Sequence, residues 1–151
     1  MDLNAKGSTG KTGFMEACIN NRYKIVELLL EESSIDFNAV DLKGQTAFIL
    51  ASCNGTLEIV DLIMKHSKKQ NINLNSVEKE GKSAFILACQ MDRKSVIDSM
   101  LAAGSEMIDF DISDDSGKTG YEHYRLKQLH RKNKRSSRLL SWSLDYYERL
   151  Q

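Results

Sequence analysis

Nine-residue blocks that begin with glycine recur four times in this chain, which restricts it to architectures built by stacking one small unit on the next. The blocks read GKTGFMEAC from Gly10, GQTAFILAS from Gly44, GKSAFILAC from Gly81 and GKTGYEHYR from Gly117. The glycines are 34, 37 and 36 residues apart. Two residues after each comes Thr12, Thr46, Ser83 or Thr119; four after comes Phe14, Phe48, Phe85 or Tyr121. Ala17, Ala51 and Ala88 stand seven residues after the first three glycines. Two more blocks keep the same register. IDFNAVD, INLNSVE and IDFDISD start at Ile35, Ile72 and Ile108, ahead of the glycines. KIVELLL, EIVDLIM and SVIDSML start at Lys24, Glu58 and Ser95, behind the alanines.

Each block has a physical reading. Asp41-Leu42-Lys43-Gly44 suits a tight turn, because glycine takes positive φ without steric cost. Thr46 suits an N-cap, its oxygen accepting from a free N–H in the next turn. Phe48, Ile49, Leu50 and Ala51 then predict a first helix, and Asn54-Gly55 a short loop. Leu57, Ile59, Val60, Leu62, Ile63 and Met64 predict a second helix with a broad apolar face. A small residue at Ala51 lets backbones approach closely. One such unit cannot bury both of its apolar faces, so the units must stack.

The pattern resembles the ankyrin repeat. In the second unit the matching residues are Asn38, Asp41, Gly44, Thr46, Ala51, Gly55, Ile59, Val60, Leu62 and Ile63. The resemblance covers nearly the whole chain. It implies an all-α solenoid of antiparallel helix pairs joined by hairpin-like turns. The repeats fall at about 7–40, 41–77 and 78–113, with a divergent fourth unit or cap over 114–151. The family's Thr-Pro-Leu-His becomes Thr-Gly-Phe-Met, Thr-Ala-Phe-Ile, Ser-Ala-Phe-Ile and Thr-Gly-Tyr-Glu. A helix-starting proline and a histidine that ties neighbouring turns are thereby lost. Gly13 and Gly120, near helix starts, are each expected to weaken their helix by up to about 1 kcal/mol relative to Ala.

The surplus over the family's period of about 33 lies at residues 33–34, 67–71 and 102–107, read as surface loops. Residues 1–7 align with 35–41, in the middle of a repeat boundary. This predicts either a longer array or a pared-down single domain. After Tyr121 the alignment decays, and Tyr124 replaces the small alanine. Apolar residues return from Leu139 to Leu150, which predicts a second helix of the last unit at about 136–150.

Composition narrows the function. The formal net charge is zero, so general affinity for nucleic acid or anionic lipid is not expected. No apolar run approaches the about 18 residues that span a bilayer, and the N-terminus has no apolar signal region. Three cysteines suit reduced thiols and an intracellular, cytoplasmic setting. Cys18 and Cys89 follow the repeat alanines and read as core, and Cys53 as more exposed. Cys18, Cys53 and Cys89 lack metal-site spacing, and His66, His123 and His130 lack ligand or nucleophile spacing, so no metal, cofactor or catalytic group is expected. Residues 5–12, AKGSTGKT, fit a relaxed phosphate-loop pattern, a remote nucleotide-binding alternative. Only four residues precede it, too few for the strand such a loop needs, and Gly-Lys-Thr or Gly-Lys-Ser recurs with the repeat. Residues 114–151 carry nine Lys/Arg against five Asp/Glu, and residues 1–113 carry twelve against sixteen. The basic run 125–138 reads first as a solvated helix face and second as a nuclear-import signal or a contact for an acidic partner or nucleic acid phosphate, the last disfavoured because no aromatic residues interleave in a stacking pattern.

The resemblance implies a protein-interaction module, not an enzyme, with another protein as partner and no small-molecule substrate. The binding surface it implies comprises the turn tips and the exposed side of each first helix. Those positions are Ser8, Thr9, Lys11, Ile19 and Asn20 in the first unit, and Leu42, Lys43, Gln45, Cys53 and Asn54 in the second. The third contributes Lys79, Glu80, Lys82, Gln90 and Met91, and the fourth Asp115, Ser116 and Lys118. Ile19, Leu42 and Met91 are the expected apolar anchors. A narrower alternative is an inhibitor that masks a basic segment of a transcription or signalling factor. The chain is expected to be a monomer or part of a longer array.

Overall fold

A carboxylate organises the turn ahead of three of the four first helices. Asp41 Oδ1 accepts from the N–H groups of Lys43 and Gln45, both at 2.9 Å. Glu78 serves Glu80 and Lys82 in the same way, and Asp114 serves Ser116 and Lys118. In the first turn Gly7 holds this position, and only backbone contacts remain, among them Gly7 N–H to Lys11 C=O at 2.9 Å. The chain then passes through Gly10, Gly44, Gly81 and Gly117 at φ between 75 and 77°. A side chain there would be strained, and at Gly10 a Cβ would also lie 2.8 Å from the Leu42 backbone nitrogen.

The computed structural model describes residues 1–133, which are helical apart from turns and isolated bridges. The helices are α1 (Gly13–Ile19), α2 (Tyr23–Leu29), α3 (Ala47–Asn54), α4 (Leu57–His66), α5 (Ala84–Gln90), α6 (Lys94–Ala103) and α7 (Gly120–Asn133). Thr12, Thr46 and Ser83 cap α1, α3 and α5 by accepting from Met15, Ile49 and Ile86 N–H at 3.2–3.3 Å. Thr119 and Glu122 form a reciprocal capping box at α7: Thr119 N–H donates to Glu122 Oε2 at 2.7 Å, and Glu122 N–H to Thr119 Oγ1 at 3.4 Å. After each of the first three caps the helix ends in a left-handed residue, Asn21, Gly55 or Asp92. Asn and Asp share this position with Gly because their short polar side chains tolerate it.

Helices α1, α3, α5 and α7 lie side by side, with α2, α4 and α6 in a second row behind. Phe14, Phe48 and Phe85 occupy corresponding buried places along this axis, while Tyr121 is half exposed. The positions of the lost histidine hold Met15, Ile49 and Ile86, all buried, so apolar contact takes over the tie between units. Backbone bonds join the turns as well: Leu42 N–H to Thr9 C=O at 3.3 Å, Lys79 to Lys43 at 3.2 Å and Asp115 to Glu80 at 3.0 Å.

An asparagine ladder on the opposite edge completes each junction. Asn4 Nδ2 donates to Ser34 C=O and its Oδ1 accepts from Asp36 N–H. Asn38 bridges to Asn71 and Asn73 in the same way, and Asn75 to Met107 and Asp109. Each amide thus satisfies a donor and an acceptor in the following unit.

Residues 67–71 form a turn with Lys68, Lys69 and Asn71 exposed, and Ser67 and Gln70 tie it to the fold. Ser67 is buried and donates to Met64 C=O, and Gln70 Nε2 reaches Leu30 C=O at 2.6 Å. One departure from the sequence reading concerns the surplus at 102–107: Ala102 and Ala103 belong to α6 rather than to a loop. The helix expected at about 136–150 lies outside the described residues.

Candidate protein-binding face

The inter-unit backbone bonds set the turn tips in one row. Ser8 and Thr9, Leu42 and Lys43, Lys79 and Glu80, Asp115 and Ser116 follow one another, all exposed. Leu42 is 64 % exposed and lies beside the first turn, its Cγ 3.1 Å from where a Cβ on Gly10 would stand. Lys11, Gln45, Lys82 and Lys118, just past each glycine, are half-buried between tip and helix.

At the far end of the first helices Ile19, Cys53 and Gln90 are half-buried, and Asn20, Asn54 and Met91 are exposed. Some of these groups already have work. Asn20 Nδ2 donates to Glu16 C=O at 2.8 Å, closing α1. Cys53 C=O accepts from Arg93 Nε at 2.7 Å. Gln90 is drawn into the junction with α7, its amide 3.3 Å from the His123 ring and its carbonyl accepting from Lys127 Nζ.

That junction contains a site the sequence reading missed. Glu80, Lys82, Gln90, Asp114, Asp115, Ser116 and His123 line a shallow cleft. His123 Nε2 stands 2.6 Å from Asp114 Oδ2, and Ser116 Oγ donates to Asp114 Oδ1 at 2.7 Å. Burial disfavours the Asp114 charge, but the bonds from Ser116, Lys118 N–H and His123 prevail and hold its carboxyl well below the usual range. Ser116 Oγ thus faces the carboxylate, and His123 meets the other oxygen of the same group. The only sequence signal was the recurrent turn acid at Asp114; His123, nine residues on, belongs to no spacing motif.

In residues 5–12, the remote phosphate-loop alternative, the backbone forms the repeat's own turn. Gly7 N–H donates to Lys11 C=O and Gly10 N–H to Gly7 C=O, both at 2.9 Å, while Thr12 Oγ1 caps α1. Two of the N–H donors that would cradle a phosphate are thus used within the turn.

The repeated turn, cap and helix pair is matched by a family model for ankyrin repeats, in three copies over residues 14–114. The chain belongs to the ankyrin-repeat family. No curated protein matches it by sequence. Ankyrin repeats are generally protein–protein interaction modules and typically non-enzymatic scaffolds.

Around this ankyrin frame the remaining sequence features find structural places. Cys18 and Cys89 are buried, and burial pushes both thiols up to about 12. Cys53 is partly accessible. In the basic run, Lys127 bonds Gln90 and Arg131 pairs with Asp92, so part of it fastens α7 to the third unit. Residues 134–138 of that run lie outside the described residues. Among the described residues no helix is long and apolar enough to cross a membrane.

Proposed function

We propose that this ankyrin chain is an intracellular interaction module that binds one protein partner along the turn tips and the ends of α1, α3 and α5. The observation that carries the reading is Leu42: a large apolar side chain, 64 % exposed, beside the neighbouring turn within the row. Central apolar groups held in place contribute most to an interface, because little conformational freedom is lost when they are covered. The eighteen positions named above come near the about 20–30 residues per side of a standard interface.

Charge bears on the narrower alternative. Lys11, Lys43, Lys79, Lys82 and Lys118 stand on this face against Glu80 and Asp115. The carboxylates of Asp41, Glu78 and Asp114 are turned to backbone N–H groups. A surface that masks a basic segment should carry the opposite bias at its tips, so a neutral or acidic partner segment fits better.

The test compares immobilised wild-type chain with Leu42→Glu in quantitative affinity capture, with thermal melts of both. Partners lost from the variant at an unchanged melting temperature support the reading. Undiminished capture by Leu42→Glu removes the face from consideration.

A further inference from the structure

The four turns share a backbone and differ in one side chain. Gly7 N–H donates to Lys11 C=O at 2.9 Å, and Asp41, Glu78 and Asp114 N–H donate to Gln45, Lys82 and Lys118 C=O, each at 3.0 Å. Gly10 N–H returns to Gly7 C=O at 2.9 Å, and the other turn glycines make the same bond at 2.8–3.0 Å. In the last three turns one oxygen of the acid accepts from the N–H groups two and four residues on, at 2.9–3.0 Å. The corresponding donors of the first turn are Thr9 and Lys11 N–H, to which Gly7 offers no side chain. Neither has a hydrogen-bond partner among the described residues. The fourth turn directs a third donor, Ser116 Oγ, to the same Asp114 oxygen at 2.7 Å, and Thr9 carries a hydroxyl at that position.

We propose that Thr9 and Lys11 bind a carboxylate brought by the protein partner, an Asp or Glu side chain, with one oxygen placed as the acids of the other turns place theirs. N–H bonds to an ionised oxygen are stronger than those to a neutral one, and successive N–H groups of a turn form an anion-binding concavity. The local charge agrees. Residues 3–12 include Lys6 and Lys11 and no acid. The nearest acids along the chain and in the next turn are engaged, Asp2 Oδ1 accepting from Asn4 N–H and Asp41 Oδ1 from its own turn. Leu42 stands beside the first turn, so one partner segment can place an acid on Thr9 and Lys11 and an apolar group on Leu42. That the partner supplies the carboxylate rests on the binding face proposed above.

The test is an amide NMR titration of the isotope-labelled full chain with sodium acetate up to about 0.5 M, exchanged for sodium chloride at constant ionic strength. Thr9 and Lys11 N–H should shift downfield along one curve, with a dissociation constant of about 0.1 M. The N–H groups of Lys43, Gln45, Glu80, Lys82, Ser116 and Lys118, each already facing an acid, should stay in place. Gly7→Asp supplies the acid within the chain. A Cβ there would meet only Lys11 O, at 3.9 Å, and Gly7 is not among the left-handed glycines, so the backbone accepts it. In Gly7→Asp the two signals should start near their acetate-bound positions and respond about fivefold less or weaker still, while Gly7→Ala should respond as the wild type does. Signals that stay still in acetate, or that move as far in Gly7→Asp as in the wild type, overturn the carboxylate site whatever Leu42→Glu does to capture. Undiminished capture by Leu42→Glu removes the face while an acetate response leaves the site standing. Partners lost from Leu42→Glu should also be lost from Gly7→Asp, and their full retention overturns the assignment of the carboxylate to the partner.

Discussion

Gly13 and Gly120 open α1 and α7 at the same helical position, yet alanine should have opposite effects at the two. At Gly13 an added Cβ meets nothing within 4 Å. Relief of glycine's helix penalty then stands alone and should stabilise by about 0.5 kcal/mol. At Gly120 the same Cβ would lie 2.5 Å from Phe85 Cδ1 and 2.6 Å from Cε1. That ring cannot retreat easily, since it is buried between Phe110, at 4.8 Å between centroids, and Tyr121, at 5.3 Å. Overpacking of this kind costs about 1–3 kcal/mol, so Gly120→Ala should be net destabilising by about 0.5–2.5 kcal/mol. At about 2–4 °C per kcal/mol for a chain of this size, Gly13→Ala should raise the melting temperature by about 1–2 °C, and Gly120→Ala lower it by about 1–10 °C. Urea titration followed by far-ultraviolet circular dichroism, comparing both midpoint and slope, measures the two. In a Phe85→Leu background the penalty at Gly120 should shrink or reverse, because the clashing ring is gone. If Gly120→Ala raises the midpoint as Gly13→Ala does, the ring does not occupy that space and the described junction of α5 with α7 is wrong.

Other perturbations probe the stack. Ala51→Leu, at a fully buried alanine, should cost about 1–3 kcal/mol in the same titration, because the neighbouring helices have no space for the added carbons. The Asp114 carboxyl, held low in the fold, contributes stability that is complete above its unfolded value of about 3.9 and is lost as pH falls through its lower folded value. Below about pH 4 the wild type should therefore lose stability more steeply than Asp114→Asn, as acid-dependent urea midpoints would reveal. A thiol-reactive dye should label Cys53 rapidly in native protein and reach Cys18 and Cys89 only on unfolding, which Cys53→Ser would verify by removing the fast phase.

Most of the frame was legible because it depends on local chemistry repeated in register. Turn glycines, Thr and Ser caps, buried phenylalanines and small alanines each act within a few residues of themselves, and a repeat displays them several times over. What escaped depends on neighbours distant in sequence. Gly13 and Gly120 look alike in a string of letters, and only the Phe85 ring beside one of them separates their effects. His123 meets Asp114 because α7 begins where it does, not because of any motif. The tie of Gln70 to Leu30 crosses from one unit to the one before it, so nothing in residues 67–71 taken alone, a surface loop, announces it. For the binding face the sequence supplied positions, and the structure adds the row formed by their tips and the use of Gln90 and Asn20 in packing.

The amide bridges of Asn4, Asn38 and Asn75 make each joint between units self-registering. Successive rungs are 34 and 37 residues apart, yet every one grips the following segment through the same two atoms. Length can therefore be gained or lost between rungs without loss of the bridge. Whole segments, cut from one asparagine to the next, should be exchangeable like links of a chain, with the new link seated by an amide already in place.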